Sequence, residues 1–308
     1  MRRCKGKRGS ATILALLVTG VIITVGIGFN WLVKEHLKAA EGMRRKSEAM
    51  VRAFSAYNAL VYSILAGNTD PREIVFSTAE DPLGIKGIPL DNGPVVVDGD
   101  VELRVQDSNG MISLVGPELD ALKRLLHNAS PDEDKSAVIV DSYLDWISKG
   151  NSTHANGAGD AYYASEGKPY TTRHYPVQYK KEFALLKGID SELYKKISPY
   201  VTLLPNMGFN PNTASDEVLM AYLNIDNVAV QKLRASMSNA PISSNVTLMN
   251  TVQRSISLGD MGVNFFPSPF LEITINVGKP VPVYSLKTGI DTRWNLTYPY
   301  SVIYWENG

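Results

Sequence analysis

The chain has 308 residues, 31 basic and 31 acidic side chains and a single cysteine. That length holds one membrane anchor plus one or two globular units. Five of the basic residues fall within the first eight positions, so the remainder is mildly acidic and offers no broad electrostatic platform for nucleic acid. Cys4 precedes the apolar run instead of following it, which argues against a lipoprotein site, and everything beyond it lacks a thiol for a disulfide or a cysteine-bound metal.

Arg2, Arg3, Lys5, Lys7 and Arg8 stand before Gly9, and residues 10–33, SATILALLVTGVIITVGIGFNWLV, carry no charge. At about 1.5 Å per residue, a helix of this run crosses a hydrocarbon core of about 30 Å. The basic residues ahead of it predict a cytoplasmic N-terminus, with everything after Lys34 translocated. A cleaved secretory signal shares the charged start. This run is longer than the usual apolar stretch, however, lacks an Ala-x-Ala site and flows into more helix, WLVKEHLKAAEGMRRKSEAM. A retained single-pass anchor is expected.

The helix continues. Leu37, Ala40, Met43, Met50, Ala53, Tyr57, Leu60, Val61 and Ile64 fall mostly three or four apart, an apolar stripe predicted to rest on a sheet of the same subunit. The opposite face across 35–52 is strongly charged and is expected to meet solvent or sister subunits. Gly67-Asn68 and Asp70-Pro71 are stop signals. Val95 to Val97, Asp98-Gly99 and Val101 to Val105 predict a tight hairpin. From Leu114 to about Ser238 the pattern is helical: PELDALKRLLHNA, KSAVIVDSYLDWISKG, KKEFALLKGI, SELYKKISPYV, ASDEVLMAYLNI and NVAVQKLRASM. Strands resume at Phe270 to Ile275, Pro282 to Leu286 and Ser301 to Trp305. Strands parted by a helical block predict an α+β fold: a long N-terminal helix with an antiparallel sheet, and an all-α domain inserted between strands.

Basic residues, then Gly9-Ser10, then at once the apolar helix, resemble the layout of type IV pilins and pseudopilins. The resemblance implies that a prepilin peptidase cuts between Gly9 and Ser10. The family's usual glutamate, at the fifth residue after the cut, is Leu14 here. In ordinary pilins that carboxylate pairs with a neighbour's new N-terminus, which offsets its cost in the bilayer, so a subunit without it needs no neighbour above. Several further segments, in order, resemble the type II secretion system protein K (GspK) family of minor pseudopilins. DSNGMISL follows the hairpin. DSYLDWISKG resembles an Asp-Trp-Ile-Asp turn, with Ser148 at its last position, and GAGDAYYAS resembles a Gly-Ala-Glu-Asp-x-Tyr-Tyr loop. EFALLKGIDSELYKKISPYVTLLP and FNPNTASDEVLMAYL resemble paired helix–hairpin–helix (SAM-like) units, and the chain closes on a Trp-x-Glu strand, SVIYWENG.

The resemblance implies Ca2+ near the loop 150–163. Carried over by position, Asp160 is kept, while the glutamate position is Gly159; Asp145, Glu166 and Glu182 are the further candidate ligands. Calcium takes about six to eight oxygens. The loop lacks the alternating acids and closing glutamate of an EF-hand, and its composition equally suits a polar turn without metal. FNPNTASDEVLMAYLNIDNVAVQKL resembles the helix–hairpin–helix of competence DNA receptors, but its hairpin, Asn224-Ile225-Asp226-Asn227, has no glycine for close phosphate approach and carries an acid. The other hairpin has Gly188, with Asp190 and Glu192 after it. Thr213 is read as a helix N-cap. His36, His127, His154 and His174 are scattered with no metal-ligand spacing, Asp141 and Asp145 are read as solvated, and neither a Gly-x-Ser-x-Gly elbow nor a phosphate loop occurs. No enzyme is expected.

Together these imply a leader over 1–9, a transmembrane helix over 10–33, a pilin-like domain over 34–106 and 262–308, and an inserted helical domain over 107–261. The implied role is that of a minor pseudopilin at the tip of a type II secretion pseudopilus, starting or capping assembly for export of folded proteins. Its partners would be the I and J minor pseudopilins and the inner-membrane secretion platform, with no nucleic acid or small-molecule substrate. The alternatives are a tip minor pilin of a type IV pilus, in adhesion or DNA uptake, and an uncut bitopic periplasmic binding domain.

Overall fold

From Ser10 to Asp70 the sequence contains no proline, and its glycines are isolated among good helix formers. The consequence is one helix of 57 residues, α1 (Ser10–Ala66). The computed structural model describes residues 10–76, 81–150, 152–253, 262–294 and 297–308. The leader, with Gly9 of the expected cleavage site, lies outside them. The chain divides into two compact units within α1, one ending at Arg52 and the other running from Ala53 to Gly308.

In the first unit the apolar side chains from Ile13 to Val33 are exposed. Thr19 and Thr24 return their hydroxyl protons to the carbonyls of Ala15 and Gly20, 2.8 and 2.9 Å away, so neither hydroxyl needs a partner from a lipid surround. Beyond Val33 the helix carries ion pairs three or four residues apart: Glu35–Lys38 at 3.1 Å, Glu41–Arg44 at 2.8 Å and Arg44–Glu48 at 2.7 Å.

In the second unit a small antiparallel sheet, which the sequence pattern does not signal, comes first: β1 (Asn68–Thr69), β2 (Glu73–Val75) and β3 (Gly87–Pro89). β4 (Val95–Val97) and β5 (Val101–Asp107) form the expected hairpin, Val97 opposite Val101. The chain then leaves the sheet through β6 (Ile112–Ser113), α2 (Leu119–Ala129), α3 (Glu133–Ile147), α4 (Asp160–Ser165), α5 (Ser191–Ile197), β7 (Val201–Thr202), α6 (Asp216–Leu223), α7 (Asn227–Asn239) and α8 (Asn245–Val252). It returns as β8 (Phe270–Val277), β9 (Tyr284–Asp291) and β10 (Ser301–Asn307). The five-stranded sheet has the order β10-β9-β8-β5-β4 and every pairing in it is antiparallel. This is the α+β architecture expected, with helices inserted between β5 and β8.

Val101, Leu103, Val105, Ile273, Ile275, Leu286 and Ile290 alternate into the sheet's buried layer, and Ala53, Tyr57, Leu60, Val61 and Ile64 of α1 are buried as well. Trp305 of β10 stacks on Phe54 with centroids 5.4 Å apart and meets Tyr57 edge-on at 5.1 Å. Each fully buried side chain of this kind contributes about 1.5–3 kcal/mol. The inserted helices surround their own core, which includes Leu122, Leu125, Tyr143, Trp146, Phe183, Leu219 and Leu233.

Four local expectations are corrected. KKEFALLKGI forms only a 3-10 turn, Lys180–Leu185, pinned by Glu182 and followed by Gly188 at φ +90°. The strand expected from Pro282 begins at Tyr284, because Pro280 and Pro282 have no N–H for the ladder, and runs on to Asp291. Ser215, not Thr213, caps α6 by accepting from the Val218 N–H. Asp145 is buried rather than solvated.

Candidate functional site

The carboxylate of Asp107 stands where the sheet meets the helical block. Its Oδ1 accepts N–H bonds from Asn109 at 3.0 Å and Ser268 at 2.8 Å. Its Oδ2 accepts from Thr213 Oγ1 at 2.8 Å and Asn210 Nδ2 at 3.2 Å. The group is fully buried, and among the described residues no cation is bonded to it. Burial raises its pKa, opposed by these four hydrogen bonds. Asn210 also donates to the Pro71 carbonyl, and Asn212 exchanges hydrogen bonds with Ile242. A Cβ on Gly110 would lie 2.6 Å from the Thr213 carbonyl oxygen, so only glycine permits this approach. The segments DSNG and NPNT are thus two halves of one junction. It joins the end of β5, the start of α6 and the return to β8.

A second polar contact crosses the same boundary. Glu272 of β8 pairs with Lys287 of β9 at 2.6 Å and accepts from Tyr304 of β10 at 2.6 Å, beside Lys180 from the helical block. Burial raises the Glu272 carboxyl, but the Lys287 and Lys180 charges together with the hydrogen bonds from Lys287 and Tyr304 outweigh it and hold the group below its ordinary value. Burial pushes Lys180 down to about 8.

The candidate ligand residues lie around the C-terminal half of α3. Asp145 and Asp160 line one cavity of about 400 Å3, together with Ser152, Tyr162, Thr172 and His174. Asp145 Oδ1 accepts from the His154 backbone N–H at 3.0 Å and faces its Nδ1 at 2.6 Å. A Cβ on Gly157 would fall 1.9 Å from Asp145 Oδ2, so the loop can lie against this carboxylate only with glycine there. One helical turn away, Asp141 accepts from the backbone and side chain of Asn156 at 3.1 and 3.2 Å.

Asp160, first residue of α4, accepts from the Thr172 N–H at 2.9 Å and from its hydroxyl, while its Oδ2 lies 3.1 Å from His174 Nε2. His174 Nδ1 donates to the Ser148 carbonyl at 2.7 Å, and its backbone N–H to the Trp146 carbonyl at 2.9 Å. His174 therefore satisfies two carbonyls at the end of α3, that of Ser148 by its imidazole and that of Trp146 by its backbone N–H, where a cation is favoured. Hydrogen bonds to Asp160 and Ser148 raise the His174 pKa; those from Thr172 and His174 lower that of Asp160. Beneath these groups Tyr163 meets Trp146 edge-on, centroids 5.5 Å apart, and Tyr170 at the same distance.

The other two candidate acids are elsewhere. Glu166 is exposed at the end of α4. Glu182 is held by the Arg173 guanidinium, with Nη2 2.6 Å from Oε1, and by the Tyr179 N–H at 3.0 Å. Among the described residues no three acid, histidine or cysteine side chains are grouped to hold a metal ion. The four acids do not together fit calcium, because two are apart from the cavity and the other two are already hydrogen-bonded. His154, His174 and Arg173 carry much of this arrangement, and sequence spacing gave them no role. The available signal was that both histidines flank the GAGDAYY segment.

Comparison with known proteins gives a consistent result. A family model described as "Type II secretion system (T2SS), protein K" matches residues 108–206, which begin just after Asp107 and hold all the residues lining the loop cavity. A type II secretion system protein K from Pectobacterium carotovorum subsp. carotovorum is 25% identical over 251 residues, 76% of each chain. Another, from Aeromonas hydrophila, is 24% identical over 266 residues, 78% of each chain. In fold, the chain resembles one in the crystal structure of the GspK–GspI–GspJ complex from the enterotoxigenic Escherichia coli type 2 secretion system. The TM-score is 0.55 at 16% identity, covering 90% of this chain and 99% of that one.

Proposed function

We propose, from the premise that this chain belongs to the type II secretion system protein K family, that it is a minor pseudopilin acting at the tip of the secretion pseudopilus. The family is structural and not enzymatic, and the N-terminal apolar helix suits a membrane-anchored pseudopilin. The observation that carries the proposal is the single helix that runs from an exposed apolar stretch into a buried last quarter, with a large helical block inserted between the strands of the sheet.

In this reading the precursor inserts with its basic leader in the cytoplasm, prepilin peptidase cuts between Gly9 and Ser10, and residues 10–33 remain in the inner membrane. Gly20, Gly26 and Gly28 have no atom within 4 Å of a Cβ position, leaving room for the close approach of neighbouring helices. I and J minor pseudopilins are the proposed neighbours, as in the complex to which the fold is similar. Leu14 presents no carboxylate to a subunit above, and the sheet carries a helical block as a large insertion between β5 and β8. The two features agree in making this the last position of a filament.

Mass spectrometry of the mature N-terminus, with and without co-expressed prepilin peptidase, tests the proposal. A peptidase-dependent start at Ser10 is expected. A persistent Met1 start would overturn it, and a start beyond Val33 would replace the anchor with a secretory signal.

A further inference from the structure

The protein K resemblance implies a divalent cation beside the GAGDAYY loop, and the side chains of this chain meet there differently. Asp145 and Asp160, the two acids that reach the cavity, are each bonded to an imidazole. The position where the resembling proteins carry glutamate is Gly159, and a Cβ there would lie 2.7 Å from the Thr153 methyl group, which takes up that space. Glu182, a further oxygen donor in the sequence, is turned onto Arg173 and caps its own 3-10 turn.

We infer that residues 152–174 of this chain are held on α3 by its own cationic and hydrogen-bonding groups, in place of a bound divalent cation. Each task a cation would perform has a protein group in position. His154 holds Asp145 by its backbone N–H at 3.0 Å and its Nδ1 at 2.6 Å. His174 Nε2 lies 3.1 Å from Asp160 Oδ2, and the residue joins that carboxylate to the carbonyls of Trp146 and Ser148 at the end of α3. Lys187 reaches the carbonyls of Asn156 and Gly157, both at 3.3 Å, oxygens of the kind calcium takes. The loop's geometry is then independent of calcium supply outside the inner membrane. This goes beyond the assembly role and stands whether or not the chain caps a pseudopilus.

The test uses the full chain in detergent, stripped with EDTA and then given millimolar calcium chloride. A cation that binds only the folded chain must raise the thermal midpoint. An unchanged midpoint and no saturable heat of calcium binding are expected; a raised midpoint or saturable binding would overturn the inference. In the same preparation, limited proteolysis reads the loop directly, because nicking follows the local opening equilibrium. His154→Ala and His174→Ala should each speed cleavage within 152–174 by about tenfold, the factor expected for a lost charge-assisted hydrogen bond. Cleavage at the wild-type rate in both variants would overturn the inference as well. The calcium measurement on the wild-type chain stands even where a variant fails to fold.

Discussion

Leu37 and Leu60 sit on one helix and belong to one apolar stripe, yet Leu37 is 64% exposed and Leu60 is 0% exposed. The last quarter of α1, from Ala53 on, buries most of its apolar residues within its own unit, with Trp305 of the sheet against Phe54 and Tyr57. The longer stretch up to Arg52 exposes its leucines, valines and isoleucines along with a ladder of ion pairs. Spacing makes a stripe; only what lies opposite decides what the stripe is for. An apolar face inside its own unit contributes to folding stability, whereas an uncovered one is available to lipid or to another helix.

Chemical denaturation of the detergent-solubilised chain should separate the two stretches. Leu60→Ala leaves a cavity in a filled layer and should cost about 2–5 kcal/mol, seen as a lower denaturation midpoint at unchanged slope. A loss below this range would mean that the covered stretch is less tightly packed than its burial indicates. The same reasoning extends to polar groups under cover. Asp107→Asn places an amide N–H2 where four donors converge, sets it against Asn210 Nδ2 or the backbone N–H groups, and should cost about 1–3 kcal/mol by the same assay.

Lys180 sharpens the comparison through pH. Its folded pKa of about 8 lies below the ordinary 10.5, so between these values the unfolded chain holds a proton that the folded chain has lost. Stability should therefore rise with pH across this window, and Lys180→Met should remove the rise. The expected size is about 1–2 kcal/mol, below the full linkage value because the side chain is only partly covered. The smallest effect belongs to Leu37→Ala, which should change unfolding by less than about 0.5 kcal/mol. In the proposed assembly, its consequence should appear as weaker recovery of I and J subunits in pull-downs.

The sheet and most of the helices were legible because their information is local. Alternation at Val101, Leu103 and Val105 and the three-to-four spacing of Leu122, Leu125 and Leu126 each state a period and a face. The contacts that assemble these elements are not local. Thr213 lies 106 positions from Asp107 and bonds it; read alone, it looks like the start of a helix. Asp145 and Asp141 are one turn apart, and nothing in that spacing tells a solvated carboxylate from one gripped by a returning loop. The loop's acids were recognisable as a group, but which would converge depended on Arg173, His154 and His174, whose roles come only from the folded path. The strands β1 to β3 are two or three residues long, too short to show a period.

The Asp107 carboxylate has one more consequence. It accepts from Asn109 just after β5 and from Ser268 just before β8, and these strands are antiparallel neighbours, Asp107 opposite Leu271. Read in sheet order, β4, β5, β8, β9 and β10 make a plain up-and-down ribbon in which one hairpin loop has been exchanged for residues 108–269. A graft of this kind asks of its host only that two chain ends meet, and here the Asp107 carboxylate joins them together with the Ser108–Ser268 hydroxyl contact at 2.8 Å and the Asn109 amide on the Phe266 carbonyl at 3.3 Å. The inserted block of such a protein can enlarge, shrink or take on new loops while the ribbon keeps its own pairing.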